Sequence, residues 1–185
     1  MPKKTMEPRK KAEIETTVEN ESLDEGLKEL IKEYVSELTA SLDEEEPDIT
    51  FVAMDENAEM PRRATEDSAG YDFFSKEMDI LRPGEVKRFD TGIKAKFPED
   101  LVLLLFNRSS NPSKGLVLMN GVGVVDAGYY NAKTNIMFEL KNITKKPITI
   151  TVGDKLGQGV FTKHYVTKDD DASGKRSGGF GSTGK

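Results

Sequence analysis

Residues 86–119 read VKRFDTGIKAKFPEDLVLLLFNRSSNPSKGLVLM. Four runs of strand-forming type, VKRF, IKAKF, LVLLLF and LVLM, are separated by Asp, Gly, Pro and Asn clusters, the residues that reverse a chain. The rhythm continues on both sides. ITFVAM precedes at 49–54, and NIMFEL and ITITV follow at 135–140 and 148–152. Turns recur every ten residues or so and no long helical period interrupts them, which is the signature of an all-β sandwich or barrel. The stripe LVLLLF and the methionines are expected in its core.

Outside residues 48–168 the composition changes. Residues 1–21 are polar and unpatterned, a leader expected to be disordered. SLDEGLKELIKEYVSELTASLDEEE, at 22–46, is an amphipathic helix of about five turns. Leu23, Leu27, Leu30, Ile31, Tyr34, Val35, Leu38 and Leu42 recur on one face, and Ser22 with Glu25 forms a capping box. Asp43 to Glu46 place negative charge against the dipole at its end, and Pro47 closes it. The apolar face needs a covering: the body, its own copies in an oligomer, or a protein partner. Residues 169–185, ending GKRSGGFGSTGK, are too rich in Gly and Ser for a core element and read as a mobile arm.

Charge and composition exclude several classes. The chain has 185 residues, a net charge of −6, no cysteine and one histidine. There is therefore no disulfide framework, thiolate metal site or cysteine nucleophile. The acid is concentrated in residues 1–48, which hold seven Lys/Arg against fifteen Asp/Glu, so the body is free to bind phosphate. No apolar run approaches the ~18 residues of a membrane span, and the basic start lacks the apolar stretch of a signal peptide. The expectation is a protein of the cytoplasm, or of the nucleus in a eukaryote, neither secreted nor membrane-bound. The leader's charge is diluted by Glu7, Glu13 and Glu15, so no direct nucleic-acid contact is expected. His164 lies in FTKHYV, where a structural or exposed role suffices.

Five segments hold residues that packing does not require. AGYD at Ala69–Asp72 sets a carboxylate beside a residue without a side chain. Arg108-Ser109-Ser110 offers a guanidinium fork and two hydroxyls at the end of an apolar strand. NGVGVVDAGYYN embeds one carboxylate, Asp126, ahead of a glycine-bearing turn. GDKLGQ at Gly153–Gln158 leads into a strand carrying one amide, and GGFGSTG at Gly178–Gly184 surrounds one aromatic with amides and hydroxyls. Taken singly, each is also an ordinary turn or tail. Together they suggest a phosphate site.

In order and spacing the five resemble the motifs of the trimeric dUTPase family, over residues 49–185. MPRRATEDSAGYD at Met60–Asp72 is similar to the first motif with its approach, RSS to the second, GVVDAGY at Gly123–Tyr129 to the third, GDKLGQ to the fourth and GGFGSTG to the fifth. The resemblance implies a jelly-roll subunit, a homotrimer with interfacial sites, and hydrolysis of dUTP to dUMP and pyrophosphate. That reaction supplies dTTP precursor and keeps uracil out of DNA. It implies Mg²⁺ bridging the substrate phosphates, which are its direct ligands, with Asp72 reaching it through water. Asp126 matches the carboxylate that activates the water attacking the α-phosphorus. Tyr129 matches the aromatic against the deoxyribose, and the hairpin with Asn120, Gly123 and Val125 matches the reader of the uracil edge. Arg108, Ser109, Ser110 and Gln158 match phosphate contacts. Phe180 matches the aromatic that stacks on the base when the arm closes, with Gly181, Ser182 and Thr183 at the phosphates.

This chain departs from the family pattern in places. Lys175-Arg176 stand where Arg-Gly is usual, so either could reach the γ-phosphate. Motif four usually reads nearer GDRIAQL, against Lys155, Gly157 and Gly159 here, and Asn131 replaces a glycine. Three other readings stand beside the enzyme: a dCTP deaminase, which uses a glutamate base and lacks the terminal arm; a broader nucleotide pyrophosphatase; and an interaction protein on the same scaffold, with residues 1–48 as its specific element.

Overall fold

The computed structural model describes residues 24–42 and 46–173. The chain divides into two compact units, 1–46 and 47–185. The first contains helix α1, Glu25–Leu42. Its first turn is closed by the Asp24 carbonyl, which accepts from the amides of Leu27 and Lys28 at 3.0 Å each. Ser22, the expected cap, lies outside the described residues. Glu25 pairs with Lys28 one turn on, a spacing at which helical side chains meet. Leu27, Leu30 and Tyr34 are exposed, while Ile31 and Val35 are half-buried.

Among its described residues the second unit has twelve strands: β1 Thr50–Ala53, β2 Arg62–Arg63, β3 Tyr71–Phe74, β4 Asp79–Leu81, β5 Val86–Asp90, β6 Ile93–Lys96, β7 Leu101–Phe106, β8 Leu116–Leu118, β9 Gly123–Asp126, β10 Met137–Asn142, β11 Ile148–Ile150 and β12 Lys155–Lys163. Two 3₁₀ turns, Pro112–Lys114 and Ala127–Asn131, follow β7 and β9. Every strand pairing among the described residues is antiparallel. The sheets run β2-β3-β12-β7-β9, β5-β10-β8, β1-β6 and β11-β4. The all-β class expected from the turn rhythm, and the jelly roll implied by the resemblance, are observed, with one α-helix among the described residues.

The core is made where these sheets face each other. Phe73 of β3, Leu81 of β4, Phe89 of β5, Ile93 of β6, Leu103 of β7, Phe138 and Leu140 of β10, and Leu156 of β12 are essentially inaccessible. Phe73 and Phe138 bring the five-stranded and three-stranded sheets together with ring centroids 5.7 Å apart. A second aromatic group joins Phe51, Tyr71, Phe97 and Phe161. Side chains of this size each stabilise the fold by roughly 1.5–3 kcal/mol on burial. That burial is what holds short strands from distant parts of the chain in one register.

Candidate active site

The carboxylate of the first motif is the centre of the geometry. Asp72 lies in β3, 6 % exposed, where an unpaired charge would be costly. It is paired twice. Arg108 donates from Nε to Oδ1 at 2.8 Å, and Lys155 lies 2.8 Å from Oδ2. Arg108 also donates from Nη1 to Ser110 Oγ at 3.2 Å. One carboxylate between two cations leaves a local excess of positive charge, as a polyanion site requires.

The sheet order explains the convergence. β12 lies between β3 and β7, so Gln158 is opposite Asp72 on one side and Phe106 on the other. Arg108 follows two residues after Phe106. A cleft of about 330 Å³ results, lined among others by Gly70, Asp72, Arg108, Ser109 and Gln158. A Cβ on Gly70 would stand 2.7 Å from Gln158 Oε1, so a larger residue there would displace the amide from its place in the cleft. Gln158 is steadied in turn by the Asn107 carbonyl, which accepts from its Nε2 at 3.4 Å. Motifs one, two and four thus form one site.

Two contributors were not singled out from sequence. Asn111 is fully buried and donates from Nδ2 to Asn107 Oδ1 and to the Leu156 carbonyl, both at 2.8 Å. It pins the loop that carries Arg108, Ser109 and Ser110 onto β12. Its only sequence signal was its place before Pro112, which reads as a turn. Lys155 was visible only as a departure from the family pattern, because nothing local indicates that its ammonium reaches Asp72.

The third motif lies elsewhere on the subunit. Met119 to Val122 turn β8 into β9, with Asn120 exposed at the tip and Gly123 and Val125 buried in β9. Asp126 ends β9 in extended conformation, and the 3₁₀ turn follows it. Within that turn Tyr129 is 6 % exposed. Its hydroxyl is 2.9 Å from Thr134 Oγ1 and donates to the Asn135 carbonyl at 3.1 Å. Lys94 ties the turn down, donating to the carbonyls of Tyr130 and Ala132.

Strand register separates this group from the cleft. Asp126 is opposite Val102, near the start of β7, whereas Gln158 is opposite Phe106 at its end. Four residues of strand span roughly 13 Å, and Arg108 lies further on. Within one copy of the chain, Asp126 and Arg108 therefore lie toward opposite ends of β7. The third group, Lys175, Arg176, Phe180, Gly181, Ser182 and Thr183, lies outside the described residues.

Among the described residues there is no cluster of three His, Asp or Glu side chains able to hold a metal ion. His164 is committed elsewhere, with Nε2 2.9 Å from the Glu99 carbonyl. No helix among the described residues is long and apolar enough to cross a membrane.

Comparison with known proteins matches residues 56–184 to the dUTPase family model. The deoxyuridine 5′-triphosphate nucleotidohydrolase of Lactococcus lactis subsp. lactis is 44 % identical over 131 residues, 68 % of this chain and 87 % of that protein. The crystal structure of dUTPase from Streptococcus mutans superimposes with a TM-score of 0.60 at 38 % identity, covering 65 % of this chain and 98 % of that one. A mutant dUTPase from phage phi11 of S. aureus, described for its coordination of a structural Mg(II) ion, matches with a TM-score of 0.59 at 28 % identity, covering 68 % and 97 %.

Proposed function

The chain belongs to the dUTPase family, and from that membership we propose how its own residues carry out the hydrolysis of dUTP to dUMP and pyrophosphate. The observation that carries the proposal is the Asp72–Arg108 pair in the wall of a cleft shared with Ser109 and Gln158. Arg108 has guanidinium donors beyond the two it spends on Asp72 and Ser110. Those donors, the Ser109 and Ser110 hydroxyls and the Gln158 amide bind the triphosphate.

The base comes from another copy of the chain. Asp126 and Arg108 lie toward opposite ends of β7 within one subunit, so a neighbouring subunit presents Asp126, with Tyr129 and the Asn120–Val125 segment, to the nucleoside end. A homotrimer with interfacial sites satisfies this requirement. Asp126 accepts a proton from water while the water oxygen bonds to the α-phosphorus. The bond from that phosphorus to the bridging oxygen breaks, and pyrophosphate leaves. Phosphoanhydride cleavage needs positioning and charge neutralisation more than covalent help.

The donor set fits a metal that arrives with the nucleotide. Both Asp72 oxygens already carry a cation, yet each retains a lone pair for a water. Asp72 would therefore hold Mg²⁺ through water, with the phosphates as its direct ligands. When bound, the ion offsets charge developing on the departing pyrophosphate. The arm supplies Phe180 to the base and Gly181, Ser182 and Thr183 to the phosphates, with Lys175 or Arg176 at the γ-phosphate. The protein works where deoxynucleotides are made and used, in cytoplasm or nucleus. Its unmatched N-terminal helix is the segment available to a protein partner.

Pyrophosphate release from dUTP, dCTP, dTTP and UTP, measured side by side, tests the reading. dUTP should be turned over at least about a hundredfold better than the others, the discrimination expected of fixed donors and acceptors. Comparable rates for all four would leave only a general nucleotide pyrophosphatase.

A further inference from the structure

Lys155 is not among the residues lining the cleft, yet its ammonium lies 2.8 Å from the carboxylate that holds Arg108. It opens β12 opposite Phe74, just before the register shift between Lys155 and Gly157. The shift sets the start of the strand apart from the regular ladder that carries Gln158. The ammonium is also 6.0 Å from the centre of the Phe74 ring, which carries the Arg62 guanidinium at 4.4 Å. Its side chain is 35 % exposed, whereas that of Asp72 is 8 % exposed. The contact is therefore made at the inner edge of the site.

We propose that Lys155 is a positioning residue of the phosphate site, acting through Asp72 to orient Arg108 toward the triphosphate. The inference rests on the dUTP reading above and adds a residue outside the lining of the cleft. Asp72 accepts Arg108 Nε on one oxygen and forms an ion pair with the Lys155 ammonium through the other. With both oxygens engaged, the carboxylate cannot rotate, and Arg108 is held by a single N–H. Its remaining donors stay available to Ser110 and phosphate. Remove the ammonium, and a nearly buried oxygen loses its partner. The donor best placed to replace it is another guanidinium N–H of Arg108, in the two-point grip these groups favour. That grip would draw Arg108 off the ligand. A positively charged replacement keeps Asp72 engaged and spares Arg108.

The test is steady-state kinetics with dUTP, together with calorimetric binding of inorganic triphosphate, on the full chain. Four variants are compared with wild type: Lys155→Met, Lys155→Arg, Asp72→Asn, and the double variant Lys155→Met with Asp72→Asn. Lys155→Met should raise KM, and weaken triphosphate binding, about tenfold, the scale of one charge-assisted contact. Its kcat should stay within about threefold, because the base is elsewhere. Lys155→Arg should remain within about threefold of wild type in KM. In the Asp72→Asn background, adding Lys155→Met should change KM less than about twofold, since the two residues act as one unit. An unchanged KM in Lys155→Met, or an equal effect of Lys155→Met with and without Asp72, overturns the proposal. So does a loss of binding in Lys155→Met that merely follows a loss of thermal stability. If wild type binds triphosphate but does not hydrolyse dUTP, the functional reading fails, while the binding series still judges Lys155.

Discussion

Gly157 faces the ring of Phe138 so closely that a Cβ on the glycine would overlap ring atoms Cε1 and Cδ1 and stand 2.8 Å from the Phe106 carbonyl oxygen. Phe138 is fully buried and packed on Phe73, so the ring has nowhere to retreat. This accounts for a glycine where the family pattern of motif four has alanine: the space is filled from the opposite sheet.

Gly157→Ala should therefore destabilise the protein by about 1–3 kcal/mol, the usual cost of overpacking a tight core. Trimming the ring in a Gly157→Ala, Phe138→Leu double variant should recover part of that loss. Denaturant melts of the two variants and wild type provide the check, and equal stability of Gly157→Ala and wild type would contradict the packing argument.

Asp126→Asn should leave the fold and nucleotide binding intact, because the amide is nearly isosteric and the residue lies at the end of an edge strand. Turnover should fall by at least about a hundredfold, the usual scale for losing an acid–base group. Single-turnover pyrophosphate release separates this from weakened binding. Activity within threefold of wild type would remove Asp126 from its role.

Tyr129 is held from both ends of its ring, by core packing and by its hydroxyl on Thr134 and Asn135. Tyr129→Ala should lower the ratio of kcat/KM for dUTP over UTP, because the space a 2′-hydroxyl needs is then open. Tyr129→Phe keeps the ring and should keep most of that ratio, at a modest cost in stability from the lost hydroxyl bonds. If both variants discriminate as well as wild type does, the ring is only packing.

Lys76 joins two carboxylates, 2.9 Å from Asp90 Oδ2 and 3.1 Å from Asp55 Oδ2. The bond to Asp90, more than the one to Asp55, raises its ammonium above the ordinary 10.5. Asp55 is held below the ordinary 3.8, first by the Asn57 amide and then by Lys76. A raised lysine contributes stability that is complete below its unfolded value and disappears as pH rises through the folded one. A depressed aspartate contributes stability that is present above its unfolded value and disappears as pH falls through the folded one. Melting temperature should thus be flat between about pH 5 and 9 and fall on both sides. Lys76→Met should flatten the alkaline limb, as thermal melts extended from about pH 3 to about pH 11 would show.

The β class was legible because strand runs and turn residues are local signals. VKRF, IKAKF, LVLLLF and LVLM became β5, β6, β7 and β8, bounded where Gly, Pro and Asn occur. The motif set was legible for the same reason: Arg108-Ser109-Ser110 and Asp126-Ala127-Gly128-Tyr129 are contiguous in the chain. β3 and β12 were less visible, since YDFF and KLGQGVFTK mix site residues and glycines into their strands.

What the chain determines by itself is therefore which segments are strands, where they turn, and which short stretches hold chemistry. Which strands become neighbours was decided only in three dimensions. Asp72 meets Arg108 across 36 positions because β12 lies between β3 and β7. The same order leaves Asp126 at the opposite end of β7 and sets Gly157 under Phe138. Periodicity and turn chemistry act over a few residues, whereas strand order follows from burying Phe73, Phe138, Leu103 and Leu156 together in one core. That burial is non-directional and cooperative, so no single stretch of sequence carries it.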